Sequence, residues 1–177
     1  IGLDHQKFLG STLSEIAIEK AGIIKSNVPV VIGETQEEIR NIFLAKAKEL
    51  NSEISYAEQE IQESFETDLK GSYQKKNTKA AVLALRKQST FPVSEEQIKH
   101  GLLNVVKNTG LLGRWQILQG LPTLICDTGH NLEGVSEVVI QLRQNELERL
   151  HLVWGMVDDK NVADVLGLLP KATYYFT

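Results

Sequence analysis

Short β-branched and apolar runs alternate along this chain with longer segments of helical periodicity. The runs are VPVVIG at 28–33, PTLICD at 122–127, LHLVWG at 150–155 and TYYF at 173–176. Parallel strands need a crossover connection, which is usually a helix packed on the face of the sheet. The alternation therefore predicts an α/β fold in which parallel strands are joined by helical crossovers.

Helix signals fill the intervals between these runs. Thr12 and Glu15 have the spacing of a capping box, and Gly22 stands where that helix, near 12–21, would end. The acidic segment 58–68 is predicted to be exposed. The other predicted elements are a strand that ends in the opening residues, a helix capped by Thr35, a strand at 53–57, helices at 73–86 and from Ser94 to near Lys107, a strand-like run at 112–118, and helices at 133–147 and 161–169.

The composition changes at NTGLLGRWQIL, residues 108–118, where turn-forming residues precede the strand-like run. Clusters of this kind are typical of connections between structural units. We therefore place a domain boundary near residue 109 and expect residues 1–108 and 109–177 to belong to different domains.

The composition of the 177 residues is that of a globular protein with a packed core, at 42% hydrophobic content. The formal net charge of -4 argues against a nucleic-acid partner, so small molecules are the expected ligands. Cys126 is the single cysteine, and no apolar run is long enough to cross a membrane, which favours the cytoplasm. Because the chain begins with Ile, we expect it to be part of a longer protein.

The opening stretch, GLDHQKFLGSTLSEIAIEKAGIIK at 2–25, is the first candidate for a binding site. Asp4 and His5 follow the predicted strand end, and ligands of open α/β sheets gather at the carboxyl ends of strands. Glu19 and Lys20 lie at the end of the first helix. The competing interpretation is a surface histidine, a solvated glutamate and a lysine that complements the helix dipole.

Two further stretches each carry one candidate residue. Asn77 lies in LKGSYQKKNTKAAVLAL at 69–85, which by itself reads as a loop and an amphipathic helix. Arg114 lies in GRWQ at 113–116. A guanidinium suits phosphate oxygens, although Arg114 can equally be a surface residue stacked on the indole of Trp115.

The stretch LICDTGHNLEG at 124–134 places Asp127 at the end of a strand and His130 with Asn131 before a helix. A helix N-terminus offers backbone donors to anions, and an aspartate at a strand end can accept from ribose hydroxyls. In the alternative interpretation, Asp127 or Asn131 only caps the helix. The charges of WGMVDDKN at 154–161 read as a solvated loop, and we leave them outside the predicted site.

Taken in this order, these stretches resemble the folylpolyglutamate synthase and dihydrofolate synthase family of the Mur ligase superfamily. The opening stretch is similar to the signature of that family's central domain, and its G-x-Y-Q-x-x-N element is matched by Gly71, Tyr73, Gln74 and Asn77. GRWQ and DTGHN match elements of its C-terminal domain, but Thr128 and Gly129 depart from the family's D-G-A-H-N. The pattern G-x-x-x-D-K-D is matched by Gly155, Asp159 and Lys160, with Asn161 replacing the last acid.

This resemblance implies a fold and roles for individual residues. Residues 1–108 would be the C-terminal part of a central ATP-binding domain, and 109–177 the N-terminal part of a Rossmann-like C-terminal domain. His5 would bind Mg²⁺, and Lys20 would carry a carbamate on its side chain. The ATP-binding residues would be Asn77, Arg114, Asp127 and His130, with Lys20 and His130 as the catalytic candidates.

The implied reaction is an ATP-dependent ligation. A pterin-linked carboxylate attacks the γ-phosphate, and the amino group of L-glutamate then displaces phosphate from the acyl phosphate. The expected partners are ATP, L-glutamate, and dihydropteroate or a reduced folate, with neither nucleic acid nor membrane, and the full-length enzyme is expected to be a monomer. A carbamate needs a neutral lysine amine, which burial favours, and its negative charge suits a hard cation.

The chain lacks the G-x-x-G-K-[ST] loop that would hold the ATP phosphates. The family has this loop upstream of the DH pair, so we expect residues 1–177 to be inactive alone. Two alternatives remain: a peptidoglycan-precursor ligase of the same superfamily, and a noncatalytic α/β nucleotide-binding module.

Overall fold

A computed structural model describes residues 1–145, 148–156 and 162–177 and divides them into two compact units. Unit 1 comprises Ile1 and residues 3–111, and unit 2 comprises Gly2 and residues 112–177. The assignment of 1–108 and 109–177 to two named domains stays a prediction.

Unit 1 is mainly helical and contains one pair of parallel strands. Strands β1 and β2 are in register from Val30 opposite Ile54 to Ile32 opposite Tyr56, and helix α3 connects them. The elements are α1 (Gln6–Leu9), α2 (Leu13–Ala21), β1 (Val30–Ile32), α3 (Glu37–Glu49), β2 (Ile54–Tyr56), α4 (Ala57–Glu60), α5 (Gln74–Lys87), α6 (Glu95–Leu102) and α7 (Val105–Thr109).

Unit 2 combines an antiparallel hairpin with a second parallel pair. Strands β3 and β4 form the hairpin, and β5 runs parallel to β6 with helix α9 between them. The two parallel pairs confirm the predicted crossovers, whereas the β3–β4 pair has no crossover. The elements are β3 (Gln116–Gly120), β4 (Thr123–Cys126), α8 (Leu132–Arg143), β5 (His151–Trp154), α9 (Val162–Leu168) and β6 (Thr173–Phe176).

Helix α2 begins as the sequence predicted. The Thr12 hydroxyl accepts from the backbone N–H of Glu15 at 3.2 Å, and the Glu15 carboxylate accepts from the backbone N–H of Thr12 at 3.0 Å. The backbone N–H of Ser11 also donates to this carboxylate and is the largest cause of the lowered pKa of Glu15. The capping box is therefore formed in full.

The opening residues and the start of α3 differ from the prediction. Residues 1–5 form no strand, and the Ile1 carbonyl accepts from the Gln36 side-chain amide at 2.9 Å. Thr35 does not cap α3, whose N-cap is Gln36. The backbone N–H of Thr35 instead donates to the Glu58 carboxylate at 2.9 Å, which ties this turn to α4.

The helix predicted from Ser94 to near Lys107 is broken into α6 and α7. The Asp68 carboxylate accepts from the backbone N–H groups of Val105 and Val106 at 3.1 and 2.9 Å. The backbone N–H of Asp68 donates in turn to the Leu102 carbonyl at 3.3 Å. A residue remote in sequence thus takes the backbone bonds that a continuous helix would have made.

The boundaries of other helices and strands differ less from the prediction. Trp115 lies before β3 rather than in it, and the described part of α8 ends at Arg143. Residues 146–147 of the predicted helix 133–147, and residue 161 of the predicted helix 161–169, lie outside the described residues.

A hydrophobic cluster joins three helical segments of unit 1. It includes Ile61, at the end of the acidic segment's helix α4, and Ile61 is 1% exposed. The prediction that residues 58–68 are exposed is therefore wrong at this position. The buried members are Ala57, Ile61, Val82, Leu83 and Ile98.

Unit 2 has its own cluster, where α8 packs against α9 through Val135, Val139 and Val165. None of the described helices is long and apolar enough to span a lipid bilayer.

Replacing Ile61 with alanine should lower the free energy of unfolding by about 2–5 kcal/mol, since the change leaves a cavity in the cluster. Urea denaturation measures the loss. Ile23→Ala is the matched control, because Ile23 is 79% exposed and its truncation removes little packing. Equal effects of the two variants would contradict the assignment of Ile61 to the core.

Arg86 on α5 makes a bidentate ion pair with Glu95 at the start of α6. Its Nε and Nη2 donate to the two carboxylate oxygens, both at 2.8 Å. These bonds are the largest cause of the lowered pKa of Glu95. The Glu95 side chain is 53% exposed, so solvent screens the interaction.

The pair predicts a pH dependence of stability. A lowered folded-state pKa contributes stability above the ordinary value of 4.5 that is lost as the pH falls through the folded-state pKa. Glu95→Gln should therefore be less stable than the parent at neutral pH, and the difference should shrink below pH 4.5. Thermal melts across this range test it, with Glu96→Gln, on the same helical turn, as the control. A difference that stays constant with pH would contradict the role of the pair.

Candidate functional site

His5 lies at the start of α1 in a left-handed conformation, with φ of 56°. Its backbone N–H donates to the Asp4 carboxylate at 2.8 Å, and its Nε2 lies 3.8 Å from the other oxygen of that carboxylate. The His5 side chain is 56% exposed. His5 is thus presented by a tight turn rather than by the end of a strand, and an oxygen donor and a nitrogen donor lie side by side.

Lys20 lies in the last turn of α2, as predicted, and lines a cavity of about 320 Å³. The cavity is bounded by residues of α2, β1, α3 and β2, among them Arg40 and Tyr56. Lys20 itself is exposed, so the structure does not supply the burial that would favour its neutral amine. The carbamate on Lys20 stays a prediction from the resemblance.

Asn77 projects from the first turns of α5 and is exposed. Its side-chain N–H₂ donates to Oε1 of Gln74 at 3.0 Å, and Gln74 is only 5% exposed. Since the amide oxygen of Asn77 is not used in this bond, a buried glutamine orients an exposed asparagine. Gln74 was matched to the same family element as Asn77 without being assigned to the site, and its spacing of three residues from Asn77 on one helix face was the available signal for this contact.

Arg114 lies in a tight turn between α7 and β3. Gly113 and Trp115 on either side have φ of 69° and 51°. A positive φ is a genuine outlier for a residue as bulky as tryptophan, so other contacts must hold the turn. The Arg114 guanidinium donates to the Thr128 hydroxyl, and in the described part of the chain it does not stack on Trp115.

Asp127 follows β4 directly and supplies the contact that holds this turn. Its Oδ2 accepts from the backbone N–H of Trp115 at 2.7 Å, and its Oδ1 accepts from the backbone N–H of Gly129 at 2.8 Å. Trp115 is 5% exposed, and the first of these bonds is partly buried. One carboxylate thereby joins the GRW turn to the DTGHN loop.

His130 and Asn131 complete the loop. The Asn131 side chain caps α8 by accepting from the backbone N–H of Gly134 at 2.8 Å, which is the capping role foreseen as an alternative. His130 is exposed, and its Nδ1 lies 3.0 Å from the Thr128 carbonyl. A carbonyl only accepts, so this is a hydrogen bond when Nδ1 carries the proton, and Nε2 is then left as the acceptor in the neutral ring.

Within unit 2 the structure therefore brings Arg114, Asp127 and His130 into one hydrogen-bonded pair of loops. His5, Lys20 and Asn77 lie in unit 1, on α1, α2 and α5. Asp159, Lys160 and Asn161 of the last motif lie outside the described residues.

Comparisons with known proteins match the sequence and the fold of this chain to one group of enzymes. The dihydrofolate synthase/folylpolyglutamate synthase of Bacillus subtilis is 31% identical over 96% of this chain and 44% of its own length. The structure of Escherichia coli FolC in complex with ADP superposes with a TM-score of 0.82 at 25% identity, over 100% of this chain and 46% of that one. This chain is homologous to folylpolyglutamate and dihydrofolate synthases.

A second solved structure, an FPGS–AMPPCP–folate complex, superposes with a TM-score of 0.82 at 25% identity, over 94% of this chain and 46% of that one. The predicted fold class is confirmed: the chain has the mixed α/β fold of the Mur ligase family. No family model matches the chain. The chain spans about half the length of the curated relatives and solved structures that it matches.

Removing the Asp127 carboxylate should loosen the GRW turn. Asp127→Ala leaves the N–H groups of Trp115 and Gly129 without their acceptor, at a cost of about 1–3 kcal/mol for the buried one. Acrylamide quenching of Trp115 fluorescence, in a Trp154→Phe background, should rise, and Asp127→Asn should be intermediate because it keeps one acceptor oxygen. Unchanged quenching in Asp127→Ala would contradict the role of this carboxylate.

Proposed function

We propose that the complete gene product is an ATP-dependent ligase that joins L-glutamate to dihydropteroate, to a reduced folate, or to both. The observation that carries this proposal is the pair of hydrogen-bonded loops holding Arg114, Asp127 and His130 on a fold shared with ADP-bound and AMPPCP-bound relatives. The reaction would form an acyl phosphate from the pterin-linked carboxylate and ATP, and the amino group of glutamate would then displace phosphate.

Arg114 is the residue best suited to the nucleotide phosphates. Its charge is permanent, and among the described residues no carboxylate forms an ion pair with it. A guanidinium held in place before ATP binds needs little reorganisation as negative charge shifts on the phosphates. The Asp127 carboxylate accepts one backbone N–H at each oxygen, and a carboxylate is the type of acceptor that ribose hydroxyls need.

Asn77 and His130 would complete the contacts to ATP. The Gln74 side chain accepts from one N–H of the Asn77 amide, and Asn77 is exposed, so its carbonyl oxygen and its second N–H are available to a ligand. The adenine base of ATP presents hydrogen-bond donors and acceptors that such an amide can pair with. His130, whose Nδ1 lies against the Thr128 carbonyl, would bring an imidazole, a group commonly used for proton transfer, to the same loop.

The donor chemistry of His5 and Asp4 fits part of a Mg²⁺ site. Mg²⁺ keeps several waters and takes few protein ligands, mostly carboxylate oxygens, so the Asp4 carboxylate suits it by donor type, and the resemblance adds the neighbouring imidazole of His5. Among the described residues no group of three or more His, Cys, Asp or Glu side chains forms a complete metal site. When bound, the ion would screen the charge of the phosphates. A carbamylated Lys20 would add oxygen donors.

We further propose that the enzyme acts in the cytoplasm as a monomer. Size-exclusion chromatography with light scattering would show the mass of one chain in solution.

The decisive experiment is a turnover assay on the complete gene product. ATP, L-glutamate and either dihydropteroate or tetrahydrofolate are supplied, and ADP, phosphate and the glutamylated product are measured. Ligation of glutamate to neither pterin would reject the proposed function. Binding of ATP without turnover would favour a noncatalytic nucleotide-binding module. Ligation to a peptidoglycan precursor would favour a peptidoglycan-precursor ligase of the same superfamily.

Variants of His5 and Asn77 test the assigned roles in the same assay. His5→Ala should reduce kcat roughly 10–100-fold, as loss of metal-site groups typically does, and excess Mg²⁺ should restore part of the rate. Asn77→Ala should raise the KM for ATP. The matched controls are His100→Ala and Asn108→Ala, which remove exposed side chains of α6 and α7. A His5→Ala enzyme with the parent's rate would contradict the metal role.

A further inference from the structure

We propose that Thr128 is a positioning residue that holds the Arg114 guanidinium in place for the nucleotide. The proposal rests on the function proposed above, in which Arg114 binds ATP. It gives a role to a residue that the sequence analysis noted only as a departure from the family pattern, since the glycine of D-G-A-H-N has no hydroxyl to offer.

The Thr128 hydroxyl stands between two partners. Nη1 of Arg114 donates to its oxygen, and the hydroxyl lies 3.1 Å from the Gly113 carbonyl, to which it donates. A hydroxyl has one proton and two lone pairs. Because the proton is directed at the Gly113 carbonyl, the lone pairs are left for the guanidinium, and both bonds can form together.

A backbone hydrogen bond fixes the position of Thr128 relative to Gly113. The backbone N–H of Thr128 donates to the same Gly113 carbonyl at 2.9 Å. A Cβ added to Gly113 would lie 2.5 Å from the Thr128 methyl group, so this residue has to be a glycine for the two loops to approach. The hydroxyl is therefore held at a fixed place relative to the residue that precedes Arg114.

Few other contacts restrain the Arg114 side chain. Among the described residues its only other hydrogen bond is a long one, 3.5 Å, to the Gly113 carbonyl. An arginine side chain has many rotamers and loses conformational entropy when it is fixed. A hydroxyl that orients the guanidinium in the free protein reduces the side-chain entropy that is lost when ATP binds.

Thr128 contacts His130 and Arg114 through different atoms. His130 bonds to the backbone carbonyl of Thr128, whereas Arg114 bonds to the side chain. A substitution that removes only the hydroxyl should therefore disturb Arg114 and leave His130 in place. The pH dependence of kcat should not move.

The test compares Thr128→Val with Thr128→Ser in the complete gene product. The valine keeps the shape and removes the hydroxyl, and we expect the KM for ATP to rise roughly three- to tenfold, as for loss of one hydrogen bond, with kcat within about twofold. The serine keeps the hydroxyl and should restore the KM. Thr128→Ala removes the hydroxyl with less bulk, in case valine perturbs the turn.

Two controls separate positioning from a purely structural effect. Thr123→Val removes a hydroxyl that donates to the Gly120 carbonyl at 2.9 Å, at the other end of the same hairpin, and should leave the KM for ATP unchanged. In an Arg114→Met background, Thr128→Val should have no further effect on that KM. An equal effect with and without Arg114, an unchanged KM in Thr128→Val and Thr128→Ala, or no rescue by serine would overturn the proposal.

Equilibrium titration of the complete gene product with ATP and MgCl₂ keeps this test separate from the proposed function. If the parent shows no ligase turnover, the proposed function fails, while the fold-change in ATP affinity between parent, Thr128→Val and the Arg114→Met pair still decides the role of Thr128.

Discussion

The carboxylate of Asp127 holds unit 2's candidate site together. It accepts backbone N–H groups from Trp115, twelve residues away, and from Gly129, two residues away. Trp115 has a positive φ that a bulky residue adopts only when its surroundings impose it, and this short bond to a buried N–H is such a constraint. With the turn fixed, the Gly113 carbonyl faces Thr128, and the Arg114 side chain meets the Thr128 hydroxyl. The orientation of Arg114 therefore depends on this partly buried bond between the Asp127 carboxylate and the backbone of Trp115.

Helix α5 connects stability and function in unit 1. Val82 and Leu83 pack in the hydrophobic cluster with Ile61 and Ile98, and Arg86 near the end of the helix pairs with Glu95. The first turns of the same helix carry Asn77, oriented by the buried Gln74. Because the cluster fixes the helix along its length, the amide of Asn77 is presented from a rigid element. A binding residue on a packed helix is held more closely than one on a loop.

Local patterns in the sequence predicted the elements whose causes are local. The capping box of Thr12 and Glu15 and the strand that delivers Asp127 need only residues within a few positions of one another, as does the Asn131 cap of α8, which was one of the alternatives at that loop. Predictions failed where a remote group intervened. Asp68 divides a predicted helix by accepting from Val105 and Val106, and Glu58 takes the backbone N–H of Thr35 that a cap would have left free. Such bonds join residues 23 to 38 positions apart and leave no periodic signal.

The sequence by itself determined the alternation of strands and helices, and it determined which residue types are available for a nucleotide, because both depend on side-chain pattern and on chemistry carried by single residues. The resemblance of its ordered motifs indicated the group of enzymes in which the comparisons then found homologues. Only the tertiary structure decided which groups contact one another. The Asp127 carboxylate accepts from two backbone N–H groups, Gln74 orients Asn77, and Thr128 contacts Arg114. The Asp127 and Thr128 contacts depend on the close approach of separate loops, and the Gln74 contact on the rotamers that packing selects. Packing in three dimensions sets both.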